Sequence, residues 1–143
     1  MAPSNTCRIV EGRLMQIDVA AGYRRVADVD EMIAAIQSCL AMVPVDTAVV
    51  IAADWRPCKV FTPDVAARVG TMLSQVNDRI ERSAILHRAD AATSVFQVFR
   101  LVKESATDRR KVFTQVDEMR RWLGEVLSPG EQQRLTTFLA QRE

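Results

Sequence analysis

An α/β fold, with a mixed but mostly parallel sheet of about five strands, is predicted by the alternation of short apolar runs with amphipathic segments. Residues 47–53 are apolar at every position after the first, which is typical of a strand covered on both faces. Segments with helical periodicity stand on either side of this run. Because parallel strands need long crossover connections, we expect helices to pack on the faces of the sheet.

A β-hairpin is predicted at the start of the sheet, over residues 8–19, with a break at Glu11-Gly12. In its second half Met15 and Ile17 alternate with polar neighbours, as they do in a strand with one solvated face. This N-terminal hairpin accounts for the antiparallel part of the mixed sheet.

The other predicted elements follow from helical periodicity, capping residues and β-rich runs. In chain order they are a helix over 28–42 capped by Asp28 or Asp30, a helix over 63–77 opened by Thr62-Pro63-Asp64, a strand over 81–87, a helix over 93–105, a strand over 111–113, a helix with Thr114 and Asp117 at capping-box spacing, and a helix over 129–141 opened by the capping box Ser128 to Glu131.

The size and composition are those of one globular domain. The chain has 143 residues, 48% of them hydrophobic and 26% charged, which is enough to bury a core without disulfides or a structural metal. We expect residues 1–7 to form a tail and residues 8–143 to form a single domain, with an extra C-terminal helix over 129–141.

The charges and cysteines exclude several classes of function. The net charge is +1 with both signs interspersed, so the basic surface that nucleic acid or acidic lipid would require is missing. Cys7, Cys39 and Cys58 are too widely spaced for a zinc site or a disulfide framework. With no apolar stretch long enough to span a membrane, we expect a cytoplasmic protein without metal or cofactor, and without nucleic-acid binding or membrane insertion.

The candidate ligand or partner loop lies where the predicted strands end, because open α/β sheets bind ligands beyond the carboxyl ends of their parallel strands. Its residues are Asp54, Trp55, Arg56, Cys58, Thr62 and His87. An acid, a flat ring and a bidentate donor at 54–56 could hold a small polar ligand. The alternative is a loop salt bridge with the tryptophan as a lid over the core.

Cys58 and His87 raise the question of catalysis. Cys58 is expected in an exposed loop, but its spacing supplies no histidine or lysine partner apart from its neighbour Lys59. His87 is the only histidine, and no carboxylate or serine partner can be identified for it from the sequence. We therefore expect an inert thiol and no catalytic residues, and we expect Cys39 to belong to the core.

The third predicted helix carries more apolar residues than one buried stripe requires. Phe96 and Phe99, with Arg100 and Lys103 as a polar rim, would form a surface for a partner or for self-association. The alternative is that the last helix, 129–141, folds back over these rings.

Three arginine pairs, at 24–25, 109–110 and 120–121, could be joined into a phosphate-binding patch. Lys and Arg number 19 against 18 acids, so we interpret the pairs as solvated, locally neutralised faces.

The chain resembles the STAS and SpoIIAA-like families, whose fold is that of anti-sigma-factor antagonists and of the cytoplasmic domains of sulfate transporters. The resemblance covers roughly residues 8–127 and is mostly architectural. It is carried by the hairpin, the apolar strand 47–53, the helix opened by Thr62, the strand ending at His87, and the strand Arg110-Lys111-Val112-Phe113 before the helix containing Trp122-Leu123.

The resemblance implies a phosphoacceptor at the N-terminus of the helix after the central strand, where this chain reads Phe61-Thr62-Pro63-Asp64. Thr62 matches the acceptor by position, while a proline and an acid replace the family's small residues and glycine. A plain helix cap is the other interpretation of Thr62.

The family implies a bacterial, non-enzymatic regulatory or adaptor protein that acts by protein–protein contact, through the helix at 63–77 and its preceding loop. Its partner would be another protein, or a second copy in a homodimer. The alternative is a small-molecule or lipid-binding domain with the loop from Asp54 to Thr62 as its mouth.

Overall fold

Strands and helices alternate along the chain in the computed structural model, which describes residues 3–142. In chain order they are β1 Thr6–Glu11, β2 Leu14–Asp18, α1 Val26–Leu40, β3 Val49–Asp54, α2 Pro63–Gln75, a 3-10 turn Asn77–Arg79, β4 Ile80–Leu86, α3 Ala92–Glu104, β5 Arg110–Phe113, α4 Val116–Gly124 and α5 Pro129–Ala140. The predicted α/β class is confirmed.

The five strands form one sheet in the order β1-β2-β3-β4-β5. β1 runs antiparallel to β2, and every other neighbouring pair is parallel, so the predicted mixed sheet is confirmed. Each connection between parallel strands leads to the next strand in the same direction across the sheet. Because such connections are right-handed, α1, α2 and α3 lie on one face of the sheet. α4 and α5 cover the other face.

β3 is buried at every position because it contributes to both cores. Val49, Ile51 and Ala53 pack among the residues of α1, α2 and α3. Val50 and Ala52 pack on the opposite face, against apolar residues of α4 and α5. This two-sided burial is what the continuous apolar run predicts.

The last helix, α5, packs on β1, β2 and α4, on the face of the sheet opposite α3. The alternative that it covers the phenylalanines of α3 is therefore wrong. Its predicted capping box is confirmed: Ser128 Oγ accepts from the backbone N–H of Glu131 at 3.2 Å, and Glu131 Oε1 accepts from the backbone N–H of Ser128 at 2.9 Å. The second Glu131 oxygen accepts from the backbone N–H of Arg13 at 2.8 Å, which ties the start of α5 to the hairpin turn.

One element boundary at the N-terminal end differs from the sequence-based expectation. β1 begins at Thr6 rather than at residue 8, so the predicted tail contributes to the sheet. Met1, Ala2 and Glu143 lie outside the described residues.

Two predicted helix caps are wrong. α1 begins at Val26, and Asp28 is its third residue, where its carboxylate accepts from the backbone N–H groups of Arg24 and Arg25. At α4 the cap position belongs to Gln115, so the capping box of Thr114 and Asp117 does not form.

Arg110 contradicts the interpretation of the arginine pairs as solvated faces, because it is only 3% exposed. Its guanidinium donates to Asn77 Oδ1 at 3.0 Å, Ser105 Oγ at 2.9 Å and the Leu73 carbonyl at 3.0 Å. Burial lowers the pKa of Arg110 to about 10, so the group stays charged at neutral pH. It thereby joins β5 to the ends of α2 and α3.

We expect Arg110→Ala to lower the free energy of unfolding by about 2–4 kcal/mol, because two buried acceptors and the half-buried Asn77 lose their donor. The exposed Arg121→Ala is the matched control and should change stability by no more than about 0.5 kcal/mol. Urea denaturation measures both. If Arg110→Ala changed stability as little as Arg121→Ala is expected to, the Arg110 contacts would contribute nothing to the free energy of unfolding.

Candidate functional site

The predicted loop residues lie at the carboxyl edge of the parallel strands, but the structure separates them into three environments. Asp54 and Arg56 meet each other in a buried ion-pair cluster. Trp55 and Cys58 point into the core, and His87 is buried against α3. Thr62 is exposed at the start of α2. The six residues therefore do not line one common site.

Asp54 is the centre of the ion-pair cluster, and its side chain is fully buried. Arg56 donates to it twice, from Nε to Oδ1 and from Nη2 to Oδ2, both at 2.9 Å. Arg142 Nη1 lies 2.7 Å from Asp54 Oδ2 and 2.6 Å from Asp18 Oδ1. The loop salt bridge is thus what the structure shows at 54–56, enlarged by two residues.

The cluster also fastens the C-terminal helix to the edge of the sheet. Arg56 Nη2 donates to the carbonyl oxygen of Leu139 at 2.9 Å, and Arg142 follows the end of α5. Arg142 stands 88 residues from Asp54 along the chain, so no local pattern could identify it as a partner. Asp18 lies opposite Asp54 in the pairing of β2 with β3, so the register of these two strands alone could have suggested that Asp18 belongs to the cluster.

Hydrogen bonding keeps the buried carboxylate of Asp54 ionised. Burial acts to raise its pKa, but the hydrogen bonds from Arg56 and Arg142 outweigh this, and the pKa of Asp54 lies below its ordinary value of 3.8. A carboxylate held in this way has its oxygens occupied by the chain's own donors. It is poorly placed to act as a proton acceptor or to bind a ligand cation.

We expect Asp54→Asn to lower the free energy of unfolding at pH 7 by about 3 kcal/mol, since it leaves Arg56 without a carboxylate partner and Arg142 with Asp18 alone. The stability that Asp54 supplies is present above pH 3.8 and is lost as the pH falls through the lower pKa of the folded state. The variant should therefore lose less stability than the native chain on acidification, as measured by urea denaturation at several pH values. Asp117→Asn, at an exposed ion pair, is the control and should match the native profile.

Trp55 and Cys58 belong to the core rather than to an open loop. The Trp55 ring packs edge-on against Tyr23 and Phe61, with centroids 5.8 and 5.9 Å away. Cys58 is fully buried, so the expectation that it is exposed is wrong. Cys58 packs in the same apolar cluster as its neighbours Trp55 and Phe61, so the loop folds inward. Burial, reinforced by the charge of Asp54, raises the pKa of the Cys58 thiol to about 12.

We expect iodoacetamide at pH 8 to leave Cys58 unmodified in the folded protein, because the thiol is both neutral and enclosed. The same residue should react fully in urea, and peptide mass spectrometry would report both results. Modification of Cys58 in the folded state at the rate of a free thiol would contradict the buried placement.

His87 has a serine partner that the sequence did not reveal. Ser94, on α3, places its Oγ 2.9 Å from His87 Nε2, and both side chains are buried. The other ring nitrogen, Nδ1, accepts from the backbone N–H of Arg88 at 2.7 Å. Nε2 must then carry the proton and donate to Ser94, which is the reverse of what a general base requires. Burial also lowers the pKa of His87, which favours this neutral form.

An open cleft lies beside the loop, between the β2–α1 and β3–α2 connections. It has a volume of about 340 Å³, and its walls include Gly22, Tyr23, Pro57 and Thr62. Arg24 and Lys59 also line this cleft, which gives it a basic rim. This is the place at the carboxyl edge where the structure leaves room for a small molecule.

The outer side of α3 exposes the aromatic residues that the sequence singled out. Phe96 is 74% and Phe99 46% exposed. Gln97 between them donates to the carbonyl of Phe61 at 3.0 Å and accepts from the backbone N–H of Phe61 at 2.7 Å. These two hydrogen bonds fix the loop between β3 and α2 to α3. Arg100 pairs with Glu104 at 3.1 Å, and Lys103 is exposed. The outer side of the predicted interaction helix is therefore exposed, with a polar rim.

Residues 3–142 contain no cluster of three or more His, Cys, Asp or Glu side chains arranged to hold a metal ion. Over the same residues, no helix combines the length and apolar character needed to cross a membrane. Comparison of the chain with protein-family models, with curated proteins and with solved structures gives no match.

Proposed function

We propose that this protein is a non-enzymatic regulatory or adaptor module that acts by protein–protein contact in the cytoplasm. The observation that carries the proposal is the pair of exposed rings, Phe96 and Phe99, on the outer side of α3, away from α2 and β5, on which this helix packs. Large exposed aromatic side chains are the type of residue on which binding energy concentrates at protein interfaces. Their partner would be another protein or a second copy of this chain.

The surface around the rings is held in place before any partner arrives. α3 packs on α2 and β5, and Gln97 clamps it to the loop at Phe61. Val60, next to that clamp in sequence, is 52% exposed and lines the neighbouring cleft. A rigid surface loses little conformational entropy on binding, so its contacts translate efficiently into affinity.

A non-catalytic role is supported by the state of the reactive groups. Asp54 is ion-paired, Cys58 is a buried thiol with a raised pKa, and His87 directs a proton at Ser94 rather than accepting one from it. Each group that could serve as acid, base or nucleophile at the carboxyl edge is occupied by a structural contact.

Thr62, the residue that the family resemblance would make a phosphoacceptor, donates its hydroxyl to Asp64 Oδ1 at 2.6 Å. This hydrogen bond lowers the pKa of the Asp64 carboxyl, which is therefore anionic at neutral pH. A negative charge beside the hydroxyl opposes the approach of a phosphate donor. Thr62 occupies the N-cap position of α2, although its side chain makes no capping hydrogen bond to the backbone, and the proposed contact does not depend on its phosphorylation.

A second candidate function is the binding of a small anionic or amphipathic molecule. The 340 Å³ cleft with Arg24 and Lys59 at its rim is the observation that favours it. Its mouth includes Thr62 and Pro57, close to the loop predicted from the sequence, but the buried Asp54 and Trp55 do not line it.

We expect Phe96→Glu to abolish the interaction while leaving the fold intact, because a charge cannot be buried in an apolar interface without a partner. Val10→Glu, at an exposed apolar residue of β1, is the matched control. Sedimentation velocity of the three proteins measures self-association. Affinity capture from the native cell extract, with the three proteins as parallel baits, measures binding to other proteins.

The proposal requires a dimer, or a captured protein, that native and Val10→Glu baits share and that Phe96→Glu loses. Circular dichroism confirms that the variants are folded. If Phe96→Glu retains every association of the native chain, the α3 surface is not the contact site.

A further inference from the structure

Cys7 and Cys39, which stand 32 residues apart in the sequence, meet in the folded chain. Cys7 lies near the start of β1, an edge strand of the sheet, and Cys39 lies in the last turn of α1. Their sulfur atoms are 3.6 Å apart. The cysteine spacing in the sequence pointed to no pairing, so this juxtaposition arises from the packing of α1 against β1.

The hydrogen bonds between the two residues give the sulfurs different roles. The Cys7 thiol donates to Cys39 Sγ, and the Cys39 thiol donates to the carbonyl oxygen of Cys7 at 3.4 Å. Burial, together with the neighbouring Cys39, raises the pKa of Cys7. Cys7 is therefore the donor of the S–H···S contact, and the Cys39 sulfur is its acceptor.

We propose that Cys7 and Cys39 are a site of reversible oxidation that forms an intramolecular disulfide between β1 and α1. Both side chains are partly exposed, so a small oxidant has access to them. Bringing the sulfurs from 3.6 Å to bonding distance, about 2 Å, requires rotation about the two Cα–Cβ bonds. This site is independent of the contact surface on α3.

The chemistry balances with hydrogen peroxide as the oxidant. Cys39 loses its proton and the resulting thiolate attacks one peroxide oxygen; the O–O bond breaks, and the released hydroxide takes up that proton to become water, which leaves a sulfenic acid on Cys39. Cys7 then loses its proton and attacks the Cys39 sulfur, expelling a second hydroxide that is protonated to water. Two thiols and one peroxide thus give one disulfide and two water molecules.

The third cysteine provides an internal control for the proposal. Cys58 is fully buried beneath Trp55 and Phe61, and it is not a partner of either Cys7 or Cys39. A disulfide of the folded chain should therefore link Cys7 to Cys39 and leave Cys58 reduced.

The test treats the folded full-length protein with hydrogen peroxide near stoichiometric amounts and maps the peptides without reduction. We expect a mass lower by about 2 Da, a peptide that joins Cys7 to Cys39, and reversal by dithiothreitol. Cys58→Ser should behave like the native chain, whereas Cys7→Ser and Cys39→Ser should not form the link. Closing a loop of this length should raise the melting temperature by roughly 10 °C on oxidation, in the native and Cys58→Ser proteins only.

Several results would overturn the proposal. One is complete alkylation of both cysteines after peroxide treatment, with no cross-linked peptide. Another is a link that forms only in urea, because the folded geometry would then not direct it. A melting temperature that does not rise when the link forms would show that the native backbone does not accommodate the bond.

Discussion

The burial of β3 on both faces is the constraint on which the rest of the structure depends. A strand enclosed in this way ends inside the protein, so the carboxylate of Asp54 has no water to solvate it. An uncompensated charge in such a place would cost several kcal/mol, and Arg56 and Arg142 provide the compensation. Since Arg142 follows α5, neutralising the end of the central strand also holds the C-terminal helix on the sheet.

This arrangement bears directly on function. The carboxyl edge of the parallel strands is where open α/β proteins usually bind their ligands. Here the chain's own arginines and aromatic rings occupy the middle of that edge. The basic cleft beside Gly22 and the aromatic surface of α3 stay open, and they lie on α1–α3 and the loops that precede them. This arrangement supports the proposed recognition through an outer surface.

Local patterns in the sequence predicted the features that depend on neighbouring residues. The apolar run of β3 reports its two-sided burial, and Ser128 to Glu131 form the expected capping box. The exposed rings of α3 could also be identified, because they exceed what one buried stripe accommodates. Each of these patterns is complete within about a dozen residues, which is the range over which periodicity and capping operate.

Features that depend on tertiary packing were missed. The inward turn of Cys58, the buried Arg110 and the approach of Cys7 to Cys39 depend on tertiary packing, whereas Ser94 lies only 7 residues from His87 and meets it where β4 leads into α3. The sequence around a charged or polar residue does not indicate whether it will be buried against a hydrogen-bond partner that is distant in the chain. The position at which the family resemblance implies a phosphoacceptor carries Thr62, whose hydroxyl donates to Asp64.

Native mass spectrometry of freshly purified protein tests the central claim most directly, because one spectrum reports both subunit number and any retained small molecule. A protein that acts through surface contacts, with the carboxyl edge of its strands occupied by its own side chains, should give the mass of the bare chain or of a multiple of it. A reproducible added mass that is lost on denaturation would contradict this account and would place the function in the cleft between the β2–α1 and β3–α2 connections.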